Sequence, residues 1–288
     1  MPLDDVSSRY ANIVPRNNLR LPDALTIKHG PARLLARFVL AGDRAARRAG
    51  IQLRLRHDFE ELAYLSKQPI AQRSKFRLMN MFNRDYAEDL SPENSYWISG
   101  EDEYGEIVLT QAGRVFDWPE TTLADEARLM FFGGRDVGQQ CLVTAEAAKY
   151  ITGVAFYGGQ GWVRPDFRGR HLSRLFPRLG RAYALARWPI DWTFSYVAPL
   201  LVEKGIAHGY GYRHLSPSIL YPDTQWGPIE AVVACLSAEE AYDDFAEFLI
   251  TDLSDPKPVD ALSRSIDFDD SVTRTSSLPV FQGSSSLS

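Results

Sequence analysis

The chain has 288 residues, 45% of them hydrophobic, which is enough apolar material for one large domain with extensions. Its net charge of −5 argues against a general nucleic-acid-binding protein, because such proteins usually carry a basic excess. It contains no apolar run as long as a membrane span and no signal-peptide core. We therefore expect a cytoplasmic protein that binds neither nucleic acid nor a membrane.

Residues 1–49 are predicted to form an N-terminal extension, irregular as far as about residue 30. An amphipathic helix with five arginines is predicted over 31–49. We expect this basic helix to pack on the main domain or on a partner subunit.

The main domain is predicted over residues 50–250 and opens with a strand over 51–56, where apolar and charged residues alternate. Asp58 is a suitable N-cap for a helix over 59–66, and a second helical segment is expected over 70–82.

Two strands joined by an acidic, glycine-containing turn predict an antiparallel hairpin over 96–116. The segment 120–132 is predicted to be helical, and the next strand is expected to begin over 150–157. The sequence Gly-Gly-Gln-Gly at 158–161 then fits either a β-bulge within that strand or a hairpin turn.

The most informative segment is Trp-Val-Arg-Pro-Asp-Phe-Arg-Gly-Arg-His-Leu-Ser-Arg-Leu at 162–175. It predicts a strand, a turn and the beginning of a helix, which together can bind a phosphate through free backbone amides. It matches neither the dinucleotide-binding fingerprint nor a P-loop. An ordinary surface turn with solvated arginines is the alternative.

The helix after this turn has an apolar stripe of the kind that packs on a sheet. Arg174, Arg178 and Arg181 lie on another side, which we expect to be a solvated basic face. Pro177 is expected to disturb the helix and to separate its first turn.

The rest of the domain is predicted to contain two further helices and three strands. A strand is expected over 190–197, a short helix over 198–205, two antiparallel strands over 212–221 and 227–236, and a final helix over 239–249. Residues 251–288 are acidic and then serine-rich, which is typical of a disordered tail.

The segment at 162–175 resembles the acyl-CoA pyrophosphate loop of the GNAT superfamily of N-acetyltransferases. That loop reads Arg/Gln-x-x-Gly-x-Gly/Ala after Val-x-Pro-x-x-Arg-Gly. Val163, Pro165, Arg168 and Gly169 occupy the family positions, whereas His171 replaces the central glycine. The resemblance implies that acetyl-CoA or another acyl-CoA is the co-substrate. The residues implied to bind it are Trp162, Val163, Arg168, Gly169, Arg170, His171, Leu172, Ser173 and Ser195.

A second family motif, Asn-x-x-Ala-x-x-Leu-Tyr-x-Lys-x-Gly-Phe, is partly present. Ala198, Leu201 and Lys204 match it, but Ser195 replaces the asparagine and Val202 replaces the tyrosine. The family tyrosine commonly protonates the departing thiolate, and valine has no proton to donate. The nearby tyrosines that can take its place are Tyr196, Tyr210 and Tyr212.

The order of elements also resembles the GNAT fold, an α+β fold with a mixed, mostly antiparallel central sheet flanked by helices. The implied activity is acyl transfer to a primary amine by direct attack, with a small-molecule amine as acceptor and a possible homodimeric state. The helix at 120–132 is then an insertion that shapes the acceptor pocket. Glu106, Asp117 and His214 are candidates for the general base, and Tyr196 is a further candidate catalytic residue.

Two alternatives to acetyl transfer remain open. One is a synthase with longer acyl donors, similar to acyl-homoserine-lactone synthases or N-acyl amino acid synthases, and the other is a non-catalytic acyl-CoA-binding module. Cys141 and Cys235 are expected to be free thiols, and neither they nor the histidines show the spacing of a metal site.

Overall fold

A computed structural model describes residues 18–134 and 138–253. Nine strands within these residues form one sheet. They are β1 (Leu19–Arg20), β2 (Gln52–Arg56), β3 (Ser95–Glu101), β4 (Ile107–Trp118), β5 (Leu142–Val143), β6 (Gly153–Val163), β7 (Trp192–Val197), β8 (His214–Tyr221) and β9 (Ile229–Ser237). Their order is β1-β2-β3-β4-β6-β7-β9-β8-β5. Neighbouring strands are antiparallel except β6 and β7, which are parallel.

Helices cover both faces of this sheet. They are α1 (Leu21–Ala24), α2 (Ala32–Arg48), α3 (Phe59–Ser66), α4 (Pro69–Arg73), α5 (Leu123–Phe131), α6 (Leu172–Arg187), α7 (Pro199–Glu203) and α8 (Ala238–Phe248). None of the helices in the described part of the chain has the length and apolar composition of a membrane span.

Helix ends follow the local sequence signals. The Asp58 carboxylate accepts hydrogen bonds from the amides of Glu60 and Glu61 at the start of α3, as predicted. A capping box begins α8, where the hydroxyl of Ser237 accepts from the amide of Glu240 and the Glu240 carboxylate accepts from the amide of Ser237.

The core lies in two layers, one on each face of the sheet. On one face, α2, α6 and α8 bury Phe38, Leu179 and Phe245, and the rings of Phe38 and Phe245 are 4.6 Å apart. Phe82 and Phe194 are buried in the layer on the other face. The helix predicted over 31–49 therefore packs on the main domain.

The predicted order of elements and the α+β class are confirmed, but two local predictions were wrong. The segment 70–82 is not one helix, because α4 ends at Arg73 and only Asn80–Phe82 forms a further 3₁₀ turn. Pro177 does not separate the first turn of α6, which is continuous from Leu172 to Arg187. The short strands β1 and β5 were not predicted, since two residues carry no periodic signal.

Residues 1–17 and the predicted tail from 254 onward lie outside the described residues.

Candidate functional site

A cleft opens in the middle of the sheet where strands β6 and β7 splay apart. The two strands pair only between Ala155–Tyr157 and Trp192–Phe194. Beyond that point β6 continues along β4 as far as Val163, while β7 continues along β9 as far as Val197. Gly158 and Ser195 are therefore the first residues on the two sides of the cleft.

A β-bulge lies on the β6 side of the cleft. Thr110 pairs with Trp162 and Ala112 pairs with Gly159, so β6 has one residue more than β4 between these pairs. Gln160 lies in the bulge with a positive φ of 55°. The glycine-rich segment is thus a bulge within a strand, and the alternative of a hairpin turn is wrong.

The backbone of Val163 faces the cleft. The amide of the next residue, Arg164, donates to the carbonyl of Val108 on β4 at 2.8 Å. The amides of successive residues in a strand point to opposite edges of that strand. The amide of Val163 therefore points away from β4, toward the side on which β7 no longer pairs with β6. By the same alternation the amide of Trp162 points toward β4. Of the two strand residues implied to bind acyl-CoA, Trp162 and Val163, only Val163 directs its amide into the cleft.

The turn at the end of β6 presents backbone amides at the beginning of α6. Gly169 is exposed, has a φ of 76°, and has open space where a Cβ would lie. His171 is the N-cap of α6 in the left-handed conformation, and its side chain forms no capping hydrogen bond. The first amides of a helix lack partners within it, so Leu172 and Ser173 can donate to an anion.

The glycine usual at the position of His171 has a conformational explanation in this structure. The left-handed conformation costs a residue with a Cβ about 1–2 kcal/mol, whereas glycine adopts it freely. Burial and the nearby cation Arg174 lower the pKa of the His171 imidazole, which is therefore neutral at pH 7.

The arginines of the turn mainly hold it together. Arg170 donates to the carbonyl of Ala49 at 2.9 Å, and its guanidinium lies 4.1 Å from the centroid of the Phe167 ring. Arg164 forms ion pairs with Asp102 and Asp166. Arg168 donates to the carbonyl of Val163 at 3.3 Å. These contacts fix the position of the loop relative to β6.

The arginines of α6 do not form a solvated basic face, so that prediction was wrong. The side chain of Arg178 is 8% exposed and that of Arg181 is fully buried. Both pair with Asp244 on α8, Arg178 through two hydrogen bonds of 2.8 and 2.9 Å. Arg174 pairs with Asp252. The acidic partners lie more than 60 residues away in sequence, so the spacing within α6 alone could not reveal them.

Tyr212 lies beside the cleft on the face covered by α6. Its hydroxyl oxygen is 3.7 Å from the position that a Cβ on Gly158 would occupy. The guanidinium of Arg181 is 4.4 Å from the centroid of the Tyr212 ring. Burial raises the pKa of Tyr212, and the charge of Arg181 together with hydrogen bonding by Arg181 and Ser195 opposes that rise. The phenol therefore keeps its proton at neutral pH.

The opposite face of the cleft carries a pocket of about 220 Å³. Its lining residues come from β6, β7, α5, the segment before Asn80 and the region that begins β9. They are Arg77, Met79, Phe131, Tyr157, Tyr196, Val197, Ala198, Trp226, Ile229, Glu230 and Ala231. The hydroxyl groups of Tyr196 and Tyr221 are 3.2 Å apart, and Tyr221 also donates to the carbonyl of Ala127. Burial raises the pKa of Tyr196 as well.

Gln160 connects the bulge to one wall of this pocket. Its side-chain amide donates to the carbonyl of Arg77 at 2.7 Å, and its side-chain oxygen accepts from the amide of Met79 at 2.9 Å. Gln160 is 8% exposed. This contact has no local signal in the sequence, because the residues that it joins are 81 and 83 positions apart.

Replacing Gln160 with leucine is expected to lower the free energy of unfolding by about 1–3 kcal/mol, because two partly buried hydrogen bonds, each contributing about 0.5–1.5 kcal/mol, are lost. Urea unfolding measures the change. Gln68→Leu, which removes a single 3.4 Å hydrogen bond, is the control and is expected to change stability by less than about 0.5 kcal/mol. Equal stability of the two variants would show that the hydrogen bonds of Gln160 to Arg77 and Met79 do not stabilise the fold.

The structure brings together only part of the predicted site. Val163, Ser195 and the loop 168–173 border the cleft, and Tyr196 lines the pocket. Glu106 is exposed in the β3–β4 turn, and Asp117 is exposed at the end of β4 away from the cleft. His214 lies two strands beyond β7, with its Nε2 atom 2.7 Å from Glu240.

No protein-family model matches the sequence, and no curated protein matches it. Among solved structures, an aminoglycoside acetyltransferase in complex with coenzyme A and kanamycin is similar at a TM-score of 0.39 and 12% identity, covering 65% of this chain and 96% of that one. RimJ from Mycobacterium smegmatis, in complex with CoA-disulfide, is similar at a TM-score of 0.40 and 13% identity, covering 69% of this chain and 90% of that one. A GNAT-family acetyltransferase from Streptococcus agalactiae is similar at a TM-score of 0.34 and 12% identity, covering 63% of this chain and 94% of that one.

At such scores and identities these similarities carry no argument about chemistry, and the fold is identified from the chain itself. The evidence is the strand order, the single parallel pair, the parting of that pair and the bulge at Gln160. On these features the described chain has a mixed, mostly antiparallel sheet flanked by helices, which is the architecture that the resemblance to the GNAT fold implies.

Proposed function

We propose that the chain is an acyl-CoA-dependent N-acyltransferase whose donor lies in the cleft between β6 and β7. The observation that carries the proposal is the parting of the strands after Tyr157 and Phe194. It opens the sheet between the loop amides at 169–173 and the pocket on the opposite face. A donor in this cleft can place its phosphates on the loop and its acyl group toward the pocket.

The roles of the backbone follow from this placement. The amides of the loop and the positive end of the α6 dipole stabilise the pyrophosphate. The amide of Val163 donates to the thioester carbonyl and stabilises the negative charge that develops on its oxygen during attack.

The reaction balances without a covalent enzyme intermediate. The nitrogen of a neutral primary amine attacks the thioester carbon, the new C–N bond forms, and the C–S bond breaks. The amine nitrogen loses a proton and the departing thiolate gains one from a protein acid, so the amine proton replaces the one that the acid gives up, and the products are an amide and free CoA. We assign the proton for the thiolate to Tyr212, because Val202 has none to donate and the Tyr212 hydroxyl borders the cleft.

Calorimetric titration with acetyl-CoA and with a long-chain acyl-CoA tests the donor. Tighter binding of the long-chain compound would favour the synthase with longer acyl donors. Binding without amine-dependent release of free thiol would favour a non-catalytic module, and binding of neither compound would refute the proposal.

Replacing Gly169 with proline is expected to weaken acetyl-CoA binding about tenfold or more, because a hydrogen bond to a charged group contributes about 1.5–3 kcal/mol. Proline removes the amide and also cannot adopt the positive φ of this residue. Gly169→Ala keeps the amide, and Gly105→Ala introduces the same strain in the β3–β4 turn, where a Cβ also meets open space. Both are expected to bind more tightly than the proline variant. Equal affinity of all three variants would place the phosphates elsewhere.

A further inference from the structure

The pocket on the far side of the cleft is lined mainly by aromatic and aliphatic side chains. Four aromatic residues contribute, Phe131, Tyr157, Tyr196 and Trp226. The rings of Tyr157 and Tyr196 meet edge to face with centroids 5.5 Å apart. Such walls favour a flat apolar body, because its burial releases water and permits ring-to-ring contacts.

The size of the pocket limits that body. Its volume is about 220 Å³. An apolar cavity of about 150 Å³ accommodates benzene, so this pocket has room for one ring system with a short chain. A larger compound of several linked rings would extend into solvent.

The charges of the lining do not suit a polycation. The only ionic side chains among the lining residues are those of Arg77 and Glu230, one of each sign and both on exposed residues. The Glu230 carboxylate already accepts a hydrogen bond from the Ser218 hydroxyl at 2.7 Å. Burial raises the pKa of Tyr157 and Tyr196, so both phenols are neutral. A second ammonium group in this pocket would lose its hydration, and the lining, with one carboxylate and one guanidinium, has no net negative charge to compensate for that loss.

We propose that the acceptor is an arylalkylamine, a primary amine on a short chain attached to one aromatic ring system and bearing no second positive charge. This inference rests on the proposed function and names the acceptor for that site. The ring lies among the four aromatic side chains, and the chain directs the nitrogen toward the thioester in the cleft. The apolar walls also favour the neutral amine, which is the nucleophilic form.

Thiol release at saturating acetyl-CoA tests the inference with tryptamine and phenethylamine against spermidine and kanamycin. The expected kcat/KM for the two arylalkylamines is about tenfold or more above that for the polycations, as expected for full burial of a ring. Equal or better use of a polycation would overturn the inference while leaving the proposed function intact. Thiol release with none of these amines, although acetyl-CoA binds, would also overturn it. If acetyl-CoA does not bind, the proposed function itself fails.

Substitutions of pocket residues test whether this pocket sets the preference for an arylalkylamine over a polycation. Ile229→Asp adds a carboxylate to the lining and is expected to lower kcat/KM for tryptamine about tenfold and to raise that for spermidine. Ile250→Asp makes the same change at an isoleucine that is 74% exposed and should alter neither. Because Ile229→Asp can also disturb folding, Trp226→Ala provides a second test, with weaker tryptamine binding by calorimetry in the presence of CoA as the expected result. Unchanged tryptamine binding in Trp226→Ala would contradict the assignment of the pocket.

Discussion

Replacing Asp244 with alanine is expected to lower the free energy of unfolding by about 3–5 kcal/mol, the usual effect of removing one partner from a buried ion pair. Asp244 is the shared acidic partner of Arg178 and Arg181, and the side chain of Arg181 has no exposed surface. Without Asp244, two guanidinium groups remain charged inside the protein with no carboxylate. Their desolvation would then be uncompensated.

Thermal unfolding measures this effect against Asp243→Ala. Asp243 precedes Asp244 in α8, but its side chain is 73% exposed and lies 3.8 Å from Arg213. A surface pair of this kind contributes about 0–1 kcal/mol. At about 2–4 °C per kcal/mol for a domain of this size, the Asp244 variant should lose about 6–20 °C in Tm. Equal Tm values for the two variants would mean that the buried arginines do not depend on Asp244.

The same ion pairs also bear on the candidate site. Arg178 donates to the carbonyl of Gly209, and Arg181 donates to the carbonyl of Tyr210. These two bonds fix the segment that leads to Tyr212. Arg178 and Arg181 therefore hold the segment that places Tyr212 beside the cleft.

Replacing Tyr212 with phenylalanine is expected to lower kcat about 10²-fold, the lower range for loss of a general acid, with the Kd for acetyl-CoA unchanged. The substitution removes only a hydroxyl group from a side chain that is 6% exposed, so the core keeps its shape. Because the pKa of Tyr212 is raised above its ordinary value, the phenol remains protonated throughout the neutral range, and the rate should not fall with pH there through its ionisation.

Tyr196→Phe is the matched comparison, since Tyr196 lines the pocket on the opposite face and was an independent candidate from the sequence. Its hydroxyl is paired with that of Tyr221. We expect Tyr196→Phe to retain most of the kcat of the wild-type protein. A 10²-fold loss in Tyr196→Phe with none in Tyr212→Phe would transfer the role of acid to Tyr196.

Local sequence signals account for most of the secondary structure. Asp58 caps α3, the alternation in 51–56 produces β2, and the apolar stripe after His171 produces α6. Each of these features depends on residues within one or two turns of the chain. The segment 74–79 was predicted to be helical but lies between α4 and a 3₁₀ turn, and Gln160 binds it across about 80 residues. Tertiary contacts of that kind override local preference and have no signature in the sequence.

The candidate site likewise has one part that the sequence predicts and one part that only the folded structure shows. The loop at 168–173 could be predicted because its motif is contiguous, and the structure places it at the start of α6. The pocket could not be predicted, because its lining residues lie between positions 77 and 231 and only the folded sheet brings them together. The burial of Arg181 was missed for the same reason, since its partner is on α8.

Amide hydrogen exchange with and without acetyl-CoA tests the central claim, that the cleft between β6 and β7 holds an acyl-CoA. At saturating acetyl-CoA, exchange should slow at Val163 and across 169–173, whereas the β3–β4 turn at 102–105 should exchange at its original rate. Binding that protects other segments and leaves Val163 and the loop unchanged would contradict the claim, and so would the absence of any binding.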